Sequence, residues 1–251
     1  MELESSENNQ AWYSAWFNTP FYHLLYQHRD YREAEDFIDN LFDRIQPDET
    51  WHILDLACGR GRHAAYMHQL GMEVTGLDLS ENNIQFAAQL VSNRLHFKVA
   101  DMRENYGEKK FDLVLNLFTS FAYFEDWQDN FQALQQIHRS LKDDGLFVLD
   151  FLNISSLPRD LDRIEKTEIE GYSFHVRRYI EDAKLEKDIS VKAPDGQDYS
   201  FKESIWALSL MDLQAMFKEV GFEILDTYGS YKLTNFEALE SDRLILLARK
   251  A

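Results

Sequence analysis

The segment Ile53-Leu54-Asp55-Leu56-Ala57-Cys58-Gly59-Arg60-Gly61-Arg62-His63 constrains this chain more than any other. An apolar run stops at small residues and gives way to helical spacing. A buried strand, a tight turn and a helix N-terminus are therefore expected in close succession. In an open α/β sheet that unit is where a mononucleotide sits, because the turn and the helix start present backbone N–H groups to the ligand. Glycine turns after strands are common, so the unit gains meaning only from the residues beyond it.

Those residues form a repeating alternation. Strands are predicted over residues 51–56, 73–78, 95–100, 111–117 and 146–152. Between them lie helical patterns over 62–70 (stopped by Gly71), 80–91 (capped by Ser80) and 126–142, the last leading into the turn Asp143-Asp144-Gly145. Strands alternating with helices at this pace imply right-handed crossovers and a parallel sheet covered on both faces. After Pro158 the rhythm changes to β-rich segments near 172–180, 185–191 and 199–208, with Pro194-Asp195-Gly196 as turn chemistry. These read as an antiparallel insertion. A helix from Ser209 to its stop at Gly221, then strands over 222–227 and 244–249, complete the pattern.

Ahead of the alternation, a polar tail to Gln10 gives way to the aromatic cluster Trp12, Tyr13, Trp16 and Phe17. Two helices come next, from Phe21 and from Asp30, the second closed by Pro47. The expected organisation is a tail and helical lid over 1–46, a core over 47–160 and 207–251, and a β-rich insertion over 161–206. The insertion is expected to cover a substrate or to form a dimer contact, and a homodimer is one possible assembly.

The net charge of −18 argues against a nucleic-acid partner, which requires clustered Lys and Arg. Cys58 is the single cysteine, so no intramolecular disulfide forms. Neither a signal-peptide pattern nor an apolar run of membrane-spanning length is visible, and the expected location is the cytoplasm. The His residues are scattered without metal-ligand spacing, so no metal is expected.

The acidic residues at strand ends carry the chemistry. Asp78 closes the second predicted strand, 19 positions beyond Gly59, where a carboxylate can accept both hydroxyls of a ribose. Asp101 closes the third and is placed to accept from an exocyclic amine of a base. A nicotinamide enzyme fits less well, because Ala57, Gly59 and Gly61 do not make the Gly-x-Gly-x-x-Gly of close pyrophosphate approach. Tyr106 and Lys110 have the spacing of a short-chain dehydrogenase pair but fall in a loop between strands.

With these residues in view, the chain resembles the class I S-adenosylmethionine-dependent methyltransferases. The resemblance runs through Asp55 to Gly61, Gly76-Leu77-Asp78-Leu79-Ser80, Val99-Ala100-Asp101-Met102, Phe111-Asp112-Leu113-Val114 and Leu141 to Phe147. Asn116-Leu117-Phe118-Thr119-Ser120-Phe121 is similar to the fourth motif of the small-molecule branch, including sugar N-methyltransferases. The resemblance implies a Rossmann-like, doubly wound seven-stranded sheet with its last strand antiparallel, N-terminal helices and the β insertion. It implies S-adenosylmethionine as cofactor and an unidentified small-molecule methyl acceptor.

By position, Asp55 would orient the glycine loop and the methionine amino group, and Gly59 and Gly61 would admit the cofactor to the backbone. Asp78 would hold the ribose and Asp101 the adenine amine, with Leu79 and Met102 on the adenine faces. Asn116 and Phe118 would stand at the sulfonium end. The N-terminal aromatic helices either pack on the sheet edge or form a lid from which Tyr22, Tyr26 and Arg29 would reach the methionine end, and Cys58 and Arg60 complete the loop. Ala57 replaces the family's first glycine, which narrows the allowed turn geometry. No catalytic residue is assigned; His23, His28 and His175 are candidate bases and Tyr123 an orienting hydroxyl. The alternative reading is a non-catalytic S-adenosylmethionine-binding sensor or partner subunit.

Overall fold

The computed structural model describes residues 16–27, 31–158 and 160–251. Its central strands are among the most deeply buried stretches of the chain. β1 (His52–Leu56), β2 (Glu73–Asp78) and β4 (Phe111–Asn116) are buried along almost their whole length. Strands buried on both faces need helices on both. On one face lie α2 (Tyr31–Ile45) and α3 (Arg62–Gln69), through Phe37, Ile38, Leu41, Ala64 and Met67. On the other lie α5 (Trp127–Ser140) and α6 (Leu210–Val220), through Ala133, Leu134, Ile137, Leu213, Met216 and Phe217. The short α1 (Pro20–Leu25) and α4 (Glu81–Ala87) flank the sheet's ligand-facing end.

With β3 (Leu95–Val99), β5 (Leu141–Leu152), β10 (Phe222–Tyr228) and β11 (Arg243–Lys250), the sheet has the order β10-β11-β5-β4-β1-β2-β3. All neighbours are parallel except β11, which runs antiparallel to β5 and β10. The chain steps outward from β1 to β3 and then returns to β4 on the other side of β1. That reversal leaves a crevice at the carboxyl ends of β1 and β4, where open α/β sheets bind ligands.

A second, antiparallel sheet holds β6 (Ile164–Ile169), β7 (Tyr172–Glu181), β8 (Lys184–Lys192) and β9 (Asp198–Trp206) in that order. Gly196 takes the positive φ, 86°, that the turn from β8 to β9 requires. The inner face of this sheet packs on the aromatic segment ahead of α2. Trp16 is fully buried with its ring 4.6 Å from Phe201, and Phe21 meets Tyr172, Tyr199 and Phe201. Thr19 caps α1 by accepting from the Tyr22 N–H at 3.2 Å. None of the described helices is long and apolar enough to cross a membrane.

Three expectations differ from the structure. The strand expected from residue 146 begins at Leu141 and carries Asp143-Asp144-Gly145 as a register shift against β4. Asp144 is left-handed there, and a Cβ on Gly145 would stand 2.9 Å from the Lys142 carbonyl, so the tight bend is a bulge within the strand. β6 lies outside the segments singled out from the sequence: five of its six residues are exposed, so its alternation is not apolar against polar. The helix after Ser80 ends at Ala87 and finishes as a 3-10 turn to Leu90.

Candidate active site

A cavity of about 660 Å³ lies between the carboxyl ends of β1–β4, the N-terminal segment and the second sheet. That size falls in the usual range of small-molecule sites. Tyr22, Tyr26, Asp55, Ala57, Cys58, Gly59, Arg60, Asp78, Leu79, Asp101, Met102 and Phe118 all line it.

The turn after β1 is built to leave backbone open. Ala57 takes φ 62° and Gly59 φ 56°, and a Cβ on Gly59 would meet nothing within 4 Å. Asp78 fixes this turn from the neighbouring strand. Its Oδ2 accepts the Gly59 N–H at 2.8 Å, and its Oδ1 accepts the Ser80 N–H at 2.9 Å and Asn83 Nδ2 at 3.3 Å. Burial raises the Asp78 carboxyl, opposed by these donors. Asp55 is buried more completely. Burial pushes its carboxyl up to about 7, partly offset by a backbone hydrogen bond from Ala64. Its Oδ2 has no partner among the described residues. A buried carboxylate oxygen left without a donor is unfavourable, and it matches a cationic or N–H group placed in the cavity.

Cys58 is packed beneath the loop: a Cβ on Gly76 would lie 2.9 Å from its Sγ, and burial raises its thiol well above the ordinary value. The protonated thiol is a packing group. Arg60 spreads over the Phe86 ring at 4.7 Å. Asp101 accepts the fork of Arg103, with Nε at 3.0 Å from Oδ1 and Nη2 at 2.6 Å from Oδ2. Burial would raise the Asp101 carboxyl, but Arg103 outweighs it and holds it below the usual range. Most of this carboxylate's acceptor capacity is therefore already engaged.

The loop after β4 is strained and held. Phe118 and Thr119 sit at φ 58° and 59°. Fully buried Asp150 of β5 accepts the Phe118 N–H at 2.7 Å, while Arg243 of β11 gives Nε to Asp150 at 2.7 Å and Nη2 to Thr119 Oγ1 at 2.8 Å. Strained dihedrals persist where such surroundings over-determine them. The Phe118 ring lies under the Arg62 guanidinium at 4.3 Å and beside His63 at 5.1 Å. Burial pushes His63 down to about 3.

Across the cavity, Arg178, Leu185, Lys187, Glu203 and Ile205 project from the second sheet. Glu203 accepts Trp16 Nε1 at 2.7 Å and Tyr26 Oη at 2.9 Å, and pairs with Lys187 at 3.3 Å. Tyr26 therefore ties the N-terminal segment to the sheet through its hydroxyl.

Two expected positions are not brought to the cavity wall. Asn116 is fully buried behind it and donates Nδ2 to the Leu56 carbonyl at 3.1 Å, which joins β4 to β1. Gly61 caps α3 at φ 79° and leaves no room for a Cβ against Phe97 at 2.6 Å, so its smallness serves packing. Arg29 and His28 lie outside the described residues. His175 is exposed on the outer face of β7, away from the cavity, whereas His23 and Tyr123 line it. Burial, then Arg60, lowers His23 to about 4.

Sequence reading misses His63, Thr119, Arg178, Lys187, Glu203 and Arg243. For the three on the second sheet a signal exists: each is a charge on the inward, apolar phase of its strand.

Residues 53–145 match the family model described as a methyltransferase domain. That stretch carries the methyltransferase domain, and along most of its length the chain is similar to methyltransferases, S-adenosylmethionine-dependent ones among them. Among relatives, it is 29% identical over 212 residues to a putative methyltransferase, YqeM, of Bacillus subtilis (strain 168), covering 81% of this chain and 85% of that one. It is 26% identical over 264 residues to a glycine/sarcosine N-methyltransferase of Aphanothece halophytica, covering 100% and 94%. A crystal structure of an S-adenosylmethionine-dependent methyltransferase from Clostridium acetobutylicum ATCC 824 superposes with a TM-score of 0.77 at 22% identity, covering 91% and 96%.

Proposed function

We propose that this enzyme methylates the nitrogen of a small-molecule amine, using the cavity between the two sheets for cofactor and acceptor together. The observation that carries the reading is the continuity of that cavity, from the carboxylates of β1–β3 to a wall of side chains on β7–β9. The full-length likeness to a glycine/sarcosine N-methyltransferase supports an amine as acceptor.

The residues present fit the cofactor. The partnerless Oδ2 of Asp55 suits the methionine amino group, and the open backbone at Gly59 suits close approach. Asp78 retains acceptor capacity for ribose hydroxyls, with Leu79 and Met102 to pack adenine. Asp101 has capacity for one further donor beside the Arg103 fork, the place of the adenine amine. Phe118 and Tyr22 would stand toward the sulfonium. S-adenosylmethionine held by these residues would supply an electrophilic methyl, toward which the cavity would direct the lone pair of an amine.

The protein's work is then positioning. Aligned reactants account for roughly 7–11 kcal/mol of a barrier in favourable cases, so no strong base is demanded. The strained loop at Phe118 and Thr119 holds one side of the reacting space, and the aromatic segment of Phe17 and Tyr22 excludes water from another. His23 is neutral at physiological pH, so its ring can accept a hydrogen bond from an acceptor N–H while remaining a weak base.

A non-catalytic binder of the cofactor would need the turn and its carboxylates but not a second cavity wall carrying charges. Calorimetry with S-adenosylmethionine and S-adenosylhomocysteine, then labelled-methyl transfer to a panel of small amines, sugars and phenols, tests the reading. Label in an amine is the expected result. Label in hydroxyl acceptors alone overturns the amine assignment, and tight cofactor binding with no transfer to any acceptor favours the binder.

A further inference from the structure

The inner face of the second sheet is filled by alternation, row by row across β7, β8 and β9. The rows are Phe174–Val191–Tyr199, Val176–Ile189–Phe201, Arg178–Lys187–Glu203 and Ile180–Leu185–Ile205. Three rows are apolar. The remaining one puts three ionisable residues side by side, and all three line the cavity. Charges on a core-facing row are unfavourable unless they are paired or serve a ligand, so the partners of each member decide what the row does.

Within it, Lys187 and Glu203 answer each other, and Tyr26 and Trp16 complete the glutamate. Arg178 differs. It gives Nη1 to Glu165 on the edge strand β6, and its Nε and Nη2 have no protein partner among the described residues. A third of its side chain is exposed (34%), so it stands where the cavity opens. Nε and Nη2 form one edge of the guanidinium, the edge that matches two oxygens of a carboxylate or phosphate. The acids on the opposite side of the cavity, Asp55, Asp78 and Asp101, belong to the ends of β1–β3. The row itself sums to one positive charge, which Glu165 on β6 meets from the Nη1 side of Arg178 alone.

We propose that Arg178 is an acceptor-binding residue and that the methyl acceptor carries an anionic group, a carboxylate or a phosphate, held on its Nε–Nη2 edge. Lys187, paired with Glu203, stands behind it, and Leu185 and Ile205 bound the acceptor on one side. This inference rests on the reading of the cavity as an amine-methylating site and adds the acceptor's charge class.

The test uses the full chain saturated with S-adenosylhomocysteine. Sarcosine is titrated against sarcosinamide, and glucosamine 6-phosphate against glucosamine, so that carboxylate and phosphate are read separately. One charged probe is expected to bind about ten-fold tighter than its neutral counterpart. Arg178→Gln should abolish that difference and Arg178→Lys restore part of it, both with unchanged affinity for S-adenosylhomocysteine. The inference is overturned if neither charged probe exceeds its neutral partner, or if Arg178→Gln weakens both members of a pair equally. An Arg178-dependent anion preference without methyl transfer to any amine would instead remove the amine reading and leave the anion site standing.

Discussion

The cavity has two sides whose polar groups are held by opposite means. At the tips of β1–β4 the anchors are backbone groups: Asp78 takes the N–H groups of Gly59 and Ser80, and Asp150 takes that of Phe118. Four non-glycine residues there, Ala57, Phe118, Thr119 and Ala122, have positive φ. On β7–β9 the polar groups meet side chain to side chain, as in Lys187–Glu203 and Arg178–Glu165. A carboxylate bonded to backbone N–H groups is part of the fold's own wiring, so altering it moves the chain. A side-chain row on a regular sheet can change charge while the strands beneath keep their register. The β1–β4 side, where the cofactor is proposed to bind, is thus coupled to stability, and the β7–β9 row is nearly independent of it.

The largest effect that would test this contrast is at Arg243. Removing one partner of a buried ion pair leaves an uncompensated charge, a loss of about 3–5 kcal/mol. Arg243→Met strands fully buried Asp150 and frees Thr119 Oγ1, so urea unfolding should show a loss in that range. Arg178→Gln should lose far less, since its pair with Glu165 is half exposed. Equal losses in the two variants would break the contrast.

Next in size is Asp78→Ala, which removes the acceptor of two backbone N–H groups and of Asn83. Hydrogen bonds to charged groups are worth about 1.5–3 kcal/mol, so affinity for S-adenosylhomocysteine should fall roughly 10- to 150-fold by calorimetry. Circular dichroism checks that the sheet is retained. A variant with wild-type affinity would detach Asp78 from the cofactor.

Smaller still is the pH response of Asp55. Burial lifts its folded-state pKa to about 7, above the ordinary carboxylate value, so its protonated form is the one the fold favours. The stability it contributes is fully present below the unfolded value and is lost as pH rises through about 7. Cofactor affinity runs the other way, because a methionine ammonium selects the ionised carboxylate. Binding of S-adenosylhomocysteine should strengthen about ten-fold from pH 6 to pH 8, with proton release on binding below neutrality. A flat profile would show that Asp55 does not meet that ammonium.

The two sides are also unequally legible in the sequence. The turn, Asp78 and Asp101 can be read because strand, glycine and acid fall at fixed intervals along one stretch of chain. Asn116 and Gly61 fall in the same motifs, yet one joins β1 to β4 and the other makes room for Phe97. Motif spacing reports that a small or polar residue is required, not which neighbour requires it. Arg243 cannot be read at all, since its partners Asp150 and Thr119 are 93 and 124 positions away. Arg178, Lys187 and Glu203 are legible in principle. The alternation of β7 is plain at Phe174 and Val176, and one further step along the same face reaches Arg178.

The smallest effect isolates backbone strain from every contact. Ala57 occupies φ 62° in the turn, where an L-residue is disfavoured by about 1–2 kcal/mol relative to glycine. Glycine loses about 0.5–1 kcal/mol more in chain entropy on folding. The two terms oppose, and Ala57→Gly should stabilise the fold by about 0.5–1 kcal/mol in urea unfolding, the strain being the larger. If the turn is preorganised for its ligand, the same variant should bind S-adenosylhomocysteine no more tightly, because strain relieved in the free protein is relieved in the complex as well. A gain in affinity matching the gain in stability would mean that the turn rearranges on binding. The backbone anchoring of the cofactor side would then be looser than its hydrogen bonds imply.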